Sequence, residues 1–276
     1  MSDQSTMNGA EWLARALAGT GMSHVFFVES VMRRTLLQLD DLGVRPVLAH
    51  SEKAAAYMAD GYARVLGRPG VCMAQSVGAA NLASGLQDAW LGRSPVIALT
   101  GHKEPSFQHR NSYQEIAHAP LFAAVTKFSS PVYATSELPR LLRLAWRSAL
   151  ADTARPTHLD FSGHQGDVIE LGQTAEPPSI EAEPRAIPVH RPVADERDLE
   201  RAAAVLMGAR RVAIVAGDGA AASGAGAEVL ALAEALAAPV ATSLGARAII
   251  PTMHPLSAGV AGSYSAPPAN RIVCGA

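Results

Sequence analysis

Short apolar runs alternating with stretches of helical periodicity constrain this chain more than any other feature. Runs at 24–28, 44–49, 71–75, 95–100, 125–132 and 157–161 have the length of buried strands and are too short for helices. Between them, 31–42, 52–66, 80–91 and 137–150 read as helices, and a further helix opens the chain. There Asn8 stands ready as a cap with Glu11 three residues on, Trp12, Leu13, Ala16 and Leu17 form the apolar stripe, and Gly19 to Gly21 closes the helix. Strands that alternate with helices imply a largely parallel sheet with helices on both faces, because parallel neighbours need a crossover between them.

The junction at Leu48–Arg64 is the most informative stretch. An apolar run interrupted by Pro46 gives way to a helix, and Glu52 falls at the change. Ala55, Met58, Ala59, Tyr62 and Leu66 repeat at the helical period and are expected on the buried face. Ala54, Ala56 and Ala63 are small enough to let another backbone or a ligand approach, and Gly67 and Pro69 end the helix. A carboxylate held there can be desolvated, with its pKa raised. It can equally be a first-turn glutamate that favours the helix dipole. His50 lies two residues before Glu52, on one strand face, and reads as a satisfied strand-end histidine rather than half of a dyad.

Residues 103–119 are polar and too long for a simple connection, which marks them as a candidate active-site loop. From about Gly163 to Pro192, prolines such as Pro177, Pro178, Pro184 and Pro188 lie among glutamates and suit an extended linker. A second α/β unit follows, with a helix from Asp195, a strand at Arg211–Ala216, the turn Gly217-Asp218-Gly219, a helix over 224–237 and a strand at Val240–Ser243. The expected domains are therefore 1–165, a linker at 166–191, and 192–276. The net charge of −2 gives no reason to expect nucleic acid or an anionic membrane as partner. Cys72 and Cys274 fit neither a disulfide framework nor a metal spacing. No signal peptide or bilayer-length apolar run is visible, so the cytoplasm is the expected compartment.

Several blocks, in order, resemble the thiamine-diphosphate-dependent 2-oxo acid enzymes, above all the acetolactate synthase branch. The first is Glu52-x-x-Ala55-x-x-Met58-Ala59-Asp60-Gly61-Tyr62-Ala63-Arg64, followed by Gly67-Arg68-Pro69-Gly70-Val71. Then come Gly78-Ala79-Ala80-Asn81 with Gly85-Leu86-Gln87-Asp88-Ala89, and Ser94 to Gly101. Tyr113-Gln114-Glu115 with Thr126-Lys127-Phe128, and Arg155 to Asp160, complete the series. The resemblance covers nearly the whole chain. It implies an N-terminal pyrimidine-binding domain of the thiamine-diphosphate-binding fold, followed by an incomplete Rossmann-like central domain that stops where another core strand is expected.

The resemblance also implies a function, decarboxylation or carboligation of a 2-oxo acid. Glu52 would be the catalytic residue that holds N1′ of the aminopyrimidine, and Gly78, Asn81 and Gln114 would line the cofactor or substrate. Read without the resemblance, Asn81 is a helix cap and Gln114 an ordinary loop amide. Mg²⁺ and diphosphate ligands are expected outside this chain, no metal ligand is named within it, and FAD stays open without a residue to support it. A homodimer or homotetramer is implied, since the family's cofactor lies between subunits. Relatives carry a Gly-x-Pro-Gly-Gly turn where this chain has Val28-Glu29-Ser30-Val31, and Gly-Pro-Gly where it has Ser76-Val77-Gly78. Gly217-Asp218-Gly219 looks like the start of a diphosphate motif but lacks its asparagines, and reads as a tight turn. Two rivals remain: a binding or assembly module that keeps the fold without the reaction, and the N-terminal part of a split enzyme.

Overall fold

The computed structural model describes residues 6–29, 31–180, 192–265 and 267–276. The chain forms two compact units, Met1–Val189 and His190–Ala276.

In the first unit β1 (Met7–Asn8) leads into α1 (Gly9–Gly19), β2 (His24–Phe27), α2 (Arg33–Asp41), β3 (Arg45–Leu48) and α3 (Glu52–Leu66). It continues through β4 (Gly70–Ala74), α4 (Ser76–Leu91), β5 (Val96–His102), α5 (His118–Phe122) and β6 (Phe128–Val132). The unit ends with α6 (Leu138–Leu150), β7 (Thr157–Ser162), α7 (Asp167–Leu171) and β8 (Gln173–Thr174). Six strands form one sheet in the order β3-β2-β4-β5-β7-β6, with every neighbouring pair parallel. The two prolines inside strands, Pro46 and Pro131, fall on the edge strands β3 and β6, where a missing N–H costs no ladder bond to a further strand.

Alternation along the central strands separates two cores. Val71, Met73, Ile97 and Leu99 face the cluster built by Trp12, Leu13, Leu17, Leu39, Leu142 and Trp146. Cys72, Ala74, Val96 and Ala98 face the cluster of α3 and α4, which is made mostly of alanine. Asn8 caps α1 as expected, its Oδ1 accepting the Glu11 N–H at 2.8 Å.

Several expectations need correction. The buried side of α3 is Ala55, Ala56, Ala59, Asp60 and Ala63, whereas Met58 and Leu66 are exposed. Gly70 packs so closely on the Ala59 carbonyl that a side chain there would collide with it, which brings α3 against the start of β4. Asp60 is tolerated in this face because Arg64 Nε donates to both its oxygens, at 2.9 and 3.0 Å. Helix α4 begins at Ser76 rather than at residue 80, since its start is set by contacts with residues far along the chain. Residues 166–180, read as linker, belong to the first unit. There α7 forms, β8 pairs antiparallel with β1, and Ile180 joins the core. The buried Glu170 Oε1 accepts from Thr35 N–H at 2.7 Å and from its hydroxyl at 2.8 Å. The remaining linker stretch, 181–191, lies outside the described residues.

The second unit holds α8 (Glu196–Gly208), β9 (Ile214–Ala216), α9 (Asp218–Ala222), α10 (Gly226–Leu236), β10 (Val240–Thr242), β11 (Ser257–Val260) and α11 (Pro267–Gly275). Its three strands are parallel in the order β11-β10-β9. The expected single helix over 224–237 is preceded by the short α9, and β11 and α11 add elements that periodicity did not reveal. Gly217-Asp218-Gly219 is a strand-to-helix turn, where Asp218 Oδ1 accepts the Ser243 hydroxyl at 2.6 Å. No described helix is long and apolar enough to cross a membrane.

Candidate functional site

Helix α3 starts on a capped junction. Ser51 is extended, with φ −158°, and its Oγ accepts the Ala54 N–H at 3.2 Å. That makes Glu52 the first helical residue, half-buried, with its side chain laid over the first turn of α4. A Cβ on Gly78 would stand 2.7 Å from Glu52 Cγ and 2.8 Å from Cδ, so the carboxylate occupies space that only glycine leaves open. One turn on, Asn81 Nδ2 donates to Glu52 Oε2 at 3.2 Å. Asn81 lies in the second turn of α4 and caps nothing, which removes its alternative reading. His50 is exposed, and no described hydrogen bond joins it to Glu52. Glu29 is exposed as well, and Ser30 lies outside the described residues.

Further down the same pair of helices, a Cβ on Gly85 would lie 2.7 Å from Ala56 Cβ and 2.8 Å from the Lys53 carbonyl oxygen. The two backbones are therefore in near contact along the segment that carries Glu52. Alanine and glycine at this interface fix the carboxylate relative to α4.

Gln114 is tied to the start of α4 and is not a free loop amide. Its backbone is left-handed, with φ 59°. Its carbonyl accepts the Ser76 hydroxyl, and its Oε1 accepts from Gln75 Nε2 at 2.7 Å. Its own Nε2 donates to the Tyr113 hydroxyl at 2.9 Å. Three of the four sequence-predicted residues, Glu52, Gly78 and Asn81, thus interlock directly. The fourth joins through Gln75 and Ser76, neither of which the sequence marked as a site residue.

Beneath this loop lies a buried polar cluster that periodicity could not show. Asp160 Oδ1 accepts the Thr100 hydroxyl at 2.7 Å and faces His118 Nδ1 at 2.8 Å. Thr100 Oγ1 also meets His158 Nε2 at 2.7 Å, and His158 Nδ1 meets Ser129 Oγ at 2.9 Å. His158 stacks on Phe122 with ring centroids 3.6 Å apart. Burial pushes the His158 imidazole down to about 3, so it is neutral. Burial pushes the Asp160 carboxyl up, but the facing His102 and His118 and the neighbouring His158 more than reverse this, holding it well below the usual carboxylate range. His102, His118, His158 and Asp160 line one side of an open cavity of about 400 Å³.

The Thr126-Lys127 block has a structural role. Lys127 Nζ donates to the carbonyls of Ala151 and Thr153 at 2.6 and 2.9 Å, closing the C-terminal end of α6. Thr126 Oγ1 donates to the Phe122 carbonyl at 2.8 Å.

Comparison with known proteins matches this architecture to two family descriptions. Residues 7–121 match "Thiamine pyrophosphate enzyme, N-terminal TPP binding domain". Residues 199–276 match "Thiamine pyrophosphate enzyme, central domain". Among curated proteins, the probable acetolactate synthase large subunit of Methanocaldococcus jannaschii is 33% identical over 272 residues, covering 97% of this chain and 45% of that protein. The probable 2-ketoarginine decarboxylase of Pseudomonas aeruginosa is 32% identical over 271 residues, covering 94% and 46%. The acetolactate synthase isozyme 2 large subunit of Escherichia coli is 38% identical over 157 residues, covering 56% and 29%. The chain spans less than half the length of these relatives.

Proposed function

The chain belongs to the thiamine pyrophosphate enzymes, in their acetolactate-synthase-like branch, and from this premise we propose that it supplies the pyrimidine-binding, glutamate-bearing half of a site for decarboxylating or ligating 2-oxo acids. The observation that carries this reading is the interlock of Glu52, Gly78 and Asn81.

The residues fit the aminopyrimidine end of the cofactor. Glu52 would hold N1′ and share a proton with it, which requires a carboxyl fixed in direction and shielded from bulk water on one side. Asn81 occupies Oε2 and so sets the plane of the carboxyl. Gly78 serves the cofactor by leaving room for Glu52 in that pose. Gln114, anchored on α4, is proposed to reach the bound cofactor or substrate from the 103–119 loop. When bound, thiamine diphosphate supplies the nucleophile and the electron sink that loss of CO₂ from a 2-oxo acid requires. The Mg²⁺ and diphosphate ligands are proposed to lie outside this chain, with a homo-oligomeric partner subunit completing the site.

Glu52→Gln in the complete enzyme tests this assignment. Glutamine keeps the shape and a hydrogen bond but cannot share the proton. The exchange of the C2 proton of bound cofactor, followed by quenched-flow deuterium exchange, is expected to slow by roughly 10²- to 10⁴-fold. Cofactor affinity should fall far less. Exchange at the parent rate would leave Glu52 as a helix-start carboxylate and remove the proposal.

A further inference from the structure

The cluster around Asp160 is not used in the reading above, and three polar groups converge on one of its carboxylate oxygens. The single proton of Ser76 Oγ goes to the Gln114 carbonyl. His118 Nε2, 3.1 Å from the Ser76 carbonyl oxygen, must therefore be the donor there. Its Nδ1 then turns toward a carboxylate oxygen 2.8 Å away. His102 Nδ1, on a residue only 8% exposed, stands 3.3 Å from the same oxygen and has no hydrogen-bond partner. Two imidazole nitrogens thus converge on one buried carboxylate oxygen, an arrangement that either two N–H donors or one bound cation can fill.

We propose that His118, His158 and Asp160, with His102 at the rim, bind one divalent first-row transition-metal ion, Zn²⁺ being the best fit. Donor atoms of His118, His158 and Asp160 all lie within 4.8 Å of one another, and all three residues are buried. Bonds of about 2.0–2.2 Å to one ion require the wider of these spacings to close, while the Asp160 Oδ1–His118 Nδ1 pair, now 2.8 Å apart, opens to admit the ion. Imidazole nitrogens with one carboxylate suit zinc or cobalt and do not suit magnesium or calcium, which take oxygen ligands. The remote nitrogens are already braced, His118 Nε2 on the Ser76 carbonyl and His158 Nδ1 on Ser129 Oγ. Such outer bonds fix the orientation of ligating histidines. The Thr100 hydroxyl, now between Asp160 and His158, becomes an outer partner of the carboxylate. The adjoining cavity provides the way in and leaves room for an exchangeable ligand.

The test uses the full chain without a histidine tag, stripped by chelator and titrated with Co²⁺, with absorption and metal content measured together. The expected result is one Co²⁺ per chain with the visible bands of a four-coordinate site, displaced by one Zn²⁺. His118→Gln and Asp160→Asn should abolish the bands. Ser129→Ala removes only the brace on His158, at an exposed position, and should weaken binding about 10- to 100-fold while leaving the fold intact. It decides the matter even if the ligand variants fail to fold. Co²⁺ bands identical to those in buffer, or affinity unchanged in Ser129→Ala, would overturn the proposal and leave a proton-filled hydrogen-bond network.

Discussion

On one face of the six-stranded sheet, Trp12, Leu13, Leu17, Leu142 and Trp146 fill the space under α1, α2 and α6. On the other, Ala55, Ala56, Ala59, Ala63, Ala79 and Ala89 fill the space under α3 and α4. The first face removes much apolar surface from water per residue, and each large side chain there contributes strongly to stability. The second buries less per residue but brings backbones together, so that Gly78 and Gly85 meet atoms of α3 directly. Bulk on one side holds the unit together. Smallness on the other sets the position of a carboxylate, and the candidate site lies on that side.

Substitutions can break or sharpen this contrast. The largest effect is expected for Trp12→Ala, which empties a fully buried site and removes the Nε1–H bond to the Glu176 carbonyl. The unfolding free energy of the first unit, from urea titration, should fall by about 3–5 kcal/mol. A loss below about 1 kcal/mol would show that the large residues are not what holds that face. Gly78→Ala should leave the urea midpoint nearly in place but displace the Glu52 side chain. Exchange of the cofactor C2 proton in the complete enzyme should then slow roughly 100-fold, the usual cost of a misplacement near 1 Å. Normal exchange would mean that Glu52 rests elsewhere in the working protein.

Gly85→Ala is a closer contest. Alanine gains about 0.5–1 kcal/mol of helix preference, while forcing α3 and α4 apart should cost about 1–3 kcal/mol. Net destabilisation by urea titration is expected; net stabilisation would show that the helix contact is slack. The smallest effect belongs to Val65→Thr, where the side chain is 82% exposed on α3. Its urea midpoint should correspond to a change within about 0.5 kcal/mol, and a larger loss would mean that the outer side of α3 is covered in solution.

Strand–helix alternation was legible because burial on both faces of a parallel sheet writes apolar runs into the sequence. The cap at Asn8 and the place of Glu52 were legible for local reasons, since each depends on residues within a turn. The buried side of α3 was read wrongly at Met58 and Leu66, because periodicity gives a face but not its width, and alanine carries little signal. The start of α4 and the anchoring of Gln114 depend on bonds across 38 or 39 positions, which no local pattern encodes. The Asp160 cluster draws its members from β5, α5 and β7, so its histidines look isolated along the chain. Residues 166–180 were mistaken for linker because a one-turn helix and a two-residue strand are too short to show a period.

The pairing of Met7 with Thr174 and of Asn8 with Gln173 has a consequence in time. These contacts join the first residues of the unit to nearly its last, a separation among the slowest to close. On the ribosome the central strands β2, β4 and β5 can assemble while later residues are still being made, but the clasp waits until β8 has emerged. Until then α1 lacks the Gly172 carbonyl that accepts its Gly9 N–H and the Glu176 carbonyl that accepts from Trp12. The nascent chain therefore holds α1 loosely until β8 has emerged.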